Sequence, residues 1–164
     1  DNDASGYQIS LSADGLTIAI GAAGCAYDGK CYLRVFTYAH NNHYHHHINH
    51  DWRQLGQTID MLPEDTSFAR GLSLSGDAST IITSRFHLSE VYVYRYNQMD
   101  QRWYQLGETL STGKNGNDFY GLDVDINYDG SIVAIGAIDF TEGGGFVQVY
   151  QCHNNGNNNK IWQQ

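Results

Sequence analysis

The pentapeptide Trp52-Arg53-Gln54-Leu55-Gly56 returns as Trp103-Tyr104-Gln105-Leu106-Gly107 and begins again at Trp162-Gln163-Gln164. A stretch recurring at intervals of about fifty residues restricts the chain to a tandem array. In such an array each unit is one supersecondary element, and it buries its apolar faces on its neighbours.

The rest of each unit repeats in step. Tyr7, Ile9 and Leu11 alternate with Gln8, Ser10 and Ser12, the period of a half-buried strand. Ala13-Asp14-Gly15 is a turn, and Leu16 to Gly21 reads as the next strand. Tyr32 to Tyr38 is a third strand, and Trp52 to Ile59 a fourth. The second unit runs Gly71 to Ser75, Ser79 to Thr83, Glu90 to Tyr96 and Trp103 to Leu110. The third runs Leu122 to Ile126, Ile132 to Ala137 and Gly145 to Tyr150, with its fourth strand opening at Trp162. Asp14, Asp77 and Asp129 mark equivalent turns, 63 and 52 residues apart. A His- and Asn-rich insertion over residues 39–51 accounts for most of that difference.

Four short strands per period of about fifty, in meander order, describe a β-propeller blade. The expected fold is all-β, a propeller-like array of about three four-stranded antiparallel blades within a larger propeller or assembly. The blades are assigned to residues 1–60, 61–111 and 112–164, the third truncated in its last strand. Ile18, Ile20, Val35, Ile81, Val91, Val93, Ile132, Ile135 and Val149 are expected in the core, together with Trp52, Trp103 and Trp162.

These repeats resemble the FG-GAP repeats in the head of integrin α-subunits. They also resemble propeller repeats of secreted and cell-surface proteins in algae and bacteria. The shared elements are Ser-x-Ser-x-Asp-Gly, Val-Ala-Ile-Gly-Ala, Val-x-Val-Tyr and Trp-x-Gln-Leu-Gly. The departures are specific. The Phe-Gly pair of that pattern is Ser5-Gly6, Phe68-Ala69 and Tyr120-Gly121, and Ala78 stands where Gly is expected. The resemblance implies an extracellular or cell-surface location. It implies function only weakly, because propellers host many activities.

Composition narrows the classes further. Hydrophobic residues make up 41% of the 164, enough for a core, which argues against disorder. Nine Lys plus Arg against a net charge of -9 disfavour a nucleic-acid partner. No apolar run reaches the roughly 18 residues of a membrane helix. The chain begins at Asp1 rather than Met, as expected of a processed product or fragment. Three blades do not close a ring, since propellers have about four to eight. The expected partners are therefore further blades, from a longer chain or from other copies in a homo-oligomer or filament.

Three groups of residues have chemistry to offer. Cys25 and Cys31 flank a short loop containing Asp28-Gly29, and they form either a disulfide or two thiols. A cross-link there would suit an oxidising compartment. Cys152 is left over, either free or paired outside the chain. Asp125, Asn127 and Asp129 place oxygen ligands at alternate positions before Gly130, as at the start of a calcium loop. Integrin-like repeats often carry such loops, so calcium is the cofactor to consider. The equivalent Ser10, Ser12 and Asp14, and Ser73, Ser75 and Asp77, show that a plain strand entering an Asp turn gives the same alternation. Six histidines crowd residues 40–50, and His43, His45 and His47 are candidate ligands for a transition metal. The alternative is a solvated loop, or a subunit contact that weakens as the imidazoles protonate.

Tyrosines such as Tyr92, Tyr94, Tyr96 and Tyr104 could stack on glycans or pack across strands. There is no Gly-x-Ser-x-Gly elbow and no phosphate loop. Ser12-Ala13-Asp14-Gly15 lacks the Trp of a sialidase Asp-box. The expected role is structural, adhesive or assembly-forming, without catalysis. The alternatives are a carbohydrate- or calcium-binding lectin-like module and, behind it, a propeller glycoside enzyme.

Overall fold

The computed structural model describes residues 4–23, 31–40, 50–60, 68–113, 118–139, 143–155 and 160–164. They form three antiparallel sheets in chain order, which is the expected propeller-like array. The first sheet has β1 (Ser5–Leu11), β2 (Thr17–Ala22), β3 (Tyr32–His40), β4 (His50–Gln54) and β5 (Ile59–Asp60). The second has β6 (Phe68–Leu74), β7 (Thr80–Arg85), β8 (Glu90–Asn97), β9 (Arg102–Gln105) and β10 (Leu110–Ser111). The third has β11 (Asp123–Ile126), β12 (Ile132–Asp139), β13 (Gly144–Asn154) and β14 (Lys160–Gln163). Among the described residues the only helix is a 3-10 turn at Phe86–Leu88.

Each hairpin between the first two strands is tied by its own side chains. Ser12 Oγ donates to Asp14 Oδ1 at 2.6 Å and accepts the Thr17 N–H at 2.9 Å. Ser75 repeats this with Asp77 at 2.7 Å and Thr80 N–H at 2.9 Å. In the third sheet Asn127 Oδ1 takes the Ser131 and Ile132 N–H groups, both at 2.9 Å. The turn residue has positive φ each time: 70° at Gly15, 60° at Ala78 and 70° at Gly130. The Phe-Gly position does the same, at 88° for Gly6, 59° for Ala69 and 85° for Gly121. Glycine is favoured there for its freedom in the left-handed region, and the two alanines keep that backbone geometry under strain.

The fourth strand departs from expectation. Trp52 to Ile59 is not one strand, nor is Trp103 to Leu110. Each is broken at the glycine of the pentapeptide, where φ is 76° at Gly56 and 75° at Gly107. Both halves pair with the same partner: β4 and β5 with β3, and β9 and β10 with β8.

The core lies between sheets. Leu33, Val35 and Ala19 of the first sheet meet Leu72, Leu74, Ile81 and Trp103 of the second. Ile82, Val91 and Val93 meet Val124, Ile126, Val133, Ile135 and Trp162 of the third. Of the expected core, Val35, Ile81, Val91, Val93 and Ile135 are buried, whereas Ile18 and Ile20 are only half-buried. Ile132, Val149 and Trp52 are exposed. Ile132 opens its strand one residue before the buried Val133, and Val149 and Trp52 lie on sheet faces that no blade covers among the described residues.

Candidate functional site

The repeated pentapeptide is a joint between consecutive blades. The Trp103 indole N–H donates to the Leu55 carbonyl oxygen at 2.8 Å. The Trp103 backbone N–H donates to Gln57 Oε1 at 2.9 Å, and Gln57 Nε2 donates to the Trp103 carbonyl oxygen at 2.8 Å. The next joint repeats the contact: Trp162 Nε1 donates to the Leu106 carbonyl at 2.9 Å, and its backbone N–H to Glu108 Oε1 at 3.1 Å. Each indole brings its Cδ1–Nε1 edge against the glycine of the preceding blade. A Cβ on Gly56 would stand 2.7 Å from Trp103 Cδ1, and one on Gly107 would stand 2.9 Å from Trp162 Cδ1. Only a glycine fits, because the site needs both a positive φ and an empty Cβ position.

Other contacts stitch the inner strands. Leu74 N–H donates to Ser10 Oγ at 2.9 Å, Ser73 Oγ to Asp125 Oδ1 at 3.0 Å, and Asp77 N–H to the Tyr128 carbonyl at 2.9 Å. Arg95 reaches the Asp129 carbonyl at 3.1 Å.

The same joints show what is left open. Positions Ile9, Leu72 and Val124 are equivalent, as are Leu11, Leu74 and Ile126, and Trp52, Trp103 and Trp162. In the second and third sheets these residues are at most 9% exposed, but Ile9, Leu11 and Trp52 are 59%, 55% and 47% exposed. The opposite face behaves likewise. Val91 and Val93, like Leu33 and Val35, are at most 1% exposed, while the equivalent Val147 and Val149 are 68% and 52% exposed. Above Val147 the third sheet carries an open depression of about 480 Å³, lined by Leu122, Gly136, Ala137, Ile138 and Phe146 among others. The chain thus presents the two unlike halves of its own blade interface, one at each end.

The calcium candidates are drawn into hairpin and inter-blade bonds. Asp125 Oδ1 faces Ser73 and takes its own neighbour's Ile126 N–H at 2.9 Å, and Asp129 Oδ1 takes Ser131 N–H at 3.0 Å. The Ser131 hydroxyl bond holds the Asp129 carboxyl below the usual carboxylate range. Asp14 is lowered in the same way by Ser12. At Asp77 burial pushes upward, but hydrogen bonds from Ser75 and Ser79 prevail and the net shift is downward. Among the described residues no three His, Cys, Asp or Glu side chains gather as a metal cluster. His43, His45 and His47 lie outside the described residues, as does Cys25. Cys31 is buried immediately ahead of β3. Cys152 is a free thiol, half-buried, and burial pushes its pKa up.

The tyrosines divide. Tyr96 tilts on Trp103 with centroids 5.1 Å apart, and Tyr38 on Trp52 at 5.3 Å. Burial pushes the Tyr94 phenol up to about 12. Tyr104 and Tyr128 are exposed. Sequence reasoning missed Leu55, Gln57 and Glu108 as joint residues, although the repeat of Leu-Gly followed by Gln or Glu was there to read. It also missed Asp118, which is fully buried, takes a 2.5 Å bond from Ser89 Oγ, and caps the turn at the Tyr120 N–H.

No protein-family profile and no curated protein matches the chain. Solved structures do. A candidate 6-phosphogluconolactonase from Bacteroides uniformis aligns over 95% of this chain and 38% of its own, at 15% identity and a TM-score of 0.57. The β-propeller domain of Cps50 (Swd1) from Myceliophteria thermophila aligns over 87% of this chain and 38% of its own, at 12% identity and a TM-score of 0.53. At these identities the likeness concerns the fold. The chain spans 38% of the length of each of these structures.

Proposed function

We propose that this chain is an extracellular β-propeller repeat segment with a structural, adhesive or assembly role and no catalysis. The observation that carries this reading is the exposure of both blade-interface halves, Ile9, Leu11 and Trp52 at one end and Val147 and Val149 at the other. Apolar faces of this kind mark association surfaces, and repeat arrays need polar caps when such faces stay open. The partners are further propeller blades, from the same longer chain or from other copies in a homo-oligomer or filament. Three sheets aligning with 38% of one β-propeller domain is about the share that three blades make of a ring of roughly seven or eight.

The extracellular part of the proposal rests on the FG-GAP-like resemblance and on a Cys25–Cys31 disulfide, which would suit an oxidising compartment. Intact mass with and without reductant, after thiol alkylation, tests the disulfide. Light scattering across a concentration series tests the assembly. A soluble monomer that unfolds cooperatively at every concentration contradicts the assembly role.

A second reading is a carbohydrate- or calcium-assisted lectin-like module. It is favoured by the exposed rings of Tyr104 and Tyr128. In that reading Asp125, Asn127 and Asp129 would hold calcium, and His43, His45 and His47 would hold a transition metal. Glycan-array binding with and without chelator separates it from the first reading. Release of reducing sugar from polysaccharides would instead favour a glycoside enzyme.

A further inference from the structure

We infer that the Trp52 face is a receptor for one defined partner: a propeller blade whose outer strand is followed directly by Leu-Gly and then Gln or Glu. This inference rests on the propeller-segment reading above and gives its partner a chemistry. Within the chain every covered tryptophan is covered in one way. Its indole N–H donates to the leucine carbonyl of the preceding blade, its Cδ1–Nε1 edge abuts that blade's glycine, and its backbone N–H donates to the following Gln or Glu. Trp52 occupies the same place in its own sheet, opposite Tyr38 as Trp103 is opposite Tyr96. Ile9 and Leu11 beside it match the buried Leu72 and Leu74.

The occupant can be narrowed further. The sequence contains two Leu-Gly pairs, Leu55-Gly56 and Leu106-Gly107. Trp103 holds the first and Trp162 holds the second. A second copy of these residues has no free Leu-Gly to offer, so the partner is a blade of this repeat type bearing its own. An arbitrary apolar protein surface would cover Ile9 and Leu11, but it would leave the indole N–H without its carbonyl.

The test extends the full chain with a copy of residues 61–115 placed ahead of Asp1, because Asn2-Asp3-x-x-Gly6 aligns with Asn117-Asp118-x-x-Gly121. Hydroxyl-radical footprinting with mass spectrometry reads the side-chain exposure of each tryptophan. Trp52 is expected to lose about ninefold in labelling rate, in proportion to the 47% exposure of Trp52 and the 5% of Trp162. The same extension carrying Gly107→Val in the added copy is expected to restore fast labelling of Trp52. If Trp52 labels equally fast with and without the added blade, while Trp103 and Trp162 stay protected, the receptor inference is overturned and the propeller reading stands. If Trp103 and Trp162 also label fast in the unextended chain, both fall. If unextended chains protect Trp52 as their concentration rises, a second copy is the occupant and the inference is overturned.

Discussion

The indole N–H of Trp103 donates to the carbonyl oxygen of Leu55 at 2.8 Å, across 48 residues of chain and from one sheet to the next. Neither residue completes this contact within its own blade. The bond is therefore a measure of the joint, and the joint gives the first prediction.

Trp103→Ala and Trp162→Ala should each cost about 3–5 kcal/mol, the range for deleting a fully buried large aromatic. Trp52→Ala should cost about 1 kcal/mol in the same chain, because Trp52 lacks the neighbouring blade. Urea unfolding of the three variants, followed by tyrosine fluorescence, checks the ranking. Equal costs would contradict the assignment of Trp52 to an open face.

Gly56→Ala and Gly107→Ala should destabilise by about 2–4 kcal/mol, combining a non-glycine residue at positive φ with overpacking against an indole ring. Gly113 also has positive φ, at 74°, but a Cβ there meets nothing within 4 Å. Gly113→Ala should therefore cost only the backbone part, about 1–2 kcal/mol. Thermal melts of the three variants separate the strain from the clash.

Ala78 points the other way. It holds φ at 60° in a turn where the other two blades have glycine. Ala78→Gly should stabilise by about 1 kcal/mol, as left-handed strain is released at some cost in unfolded-chain entropy. A higher denaturant midpoint with an unchanged slope is the expected result.

The pH dependence has two edges. Asp14, Asp77 and Asp129 have carboxyl pKa values below their ordinary value, so their contribution is present above about pH 4 and is lost as pH falls through the depressed folded values. Ser75→Ala should blunt this acid edge at Asp77. It should also cost about 1–3 kcal/mol at neutral pH, since the buried Thr80 N–H loses its acceptor. At the alkaline edge Tyr94 is pushed up to about 12 by burial, so its neutral phenol contributes below about pH 10, and that contribution is lost as pH rises towards 12. Tyr94→Phe should flatten that edge. Circular dichroism across both pH ranges reads the two effects.

The blade order was legible in the sequence because strand alternation and turn chemistry are local. Ser12, Asp14 and Gly15 announce a hairpin without reference to anything distant. The break at Gly56 was not legible, since a glycine inside a strand-like run reads equally as a weak strand position or as a kink. What decides it is Trp103, 47 residues on, whose ring needs the glycine bare. Trp52, Trp103 and Trp162 looked alike in sequence, and their different exposures follow only from how many sheets stand beside each one. The calcium alternation was ambiguous for a related reason. The same oxygens that could hold a cation also cap a turn, and the bonds to Ser73, Ser131 and Ile132 show where they are spent in this structure.

The split of the fourth strand also bears on aggregation. The outer edges of the first two sheets are built from pieces of five and two residues, and of four and two, interrupted at Gly56 and Gly107. A long, flat edge is a template on which a foreign strand can add, and proteins blunt such edges with short strands and kinks. The glycine that seats the neighbouring tryptophan therefore also denies an incoming strand a continuous row of backbone donors and acceptors. A substitution there would loosen the joint and straighten the edge together, coupling loss of the array to fibre formation.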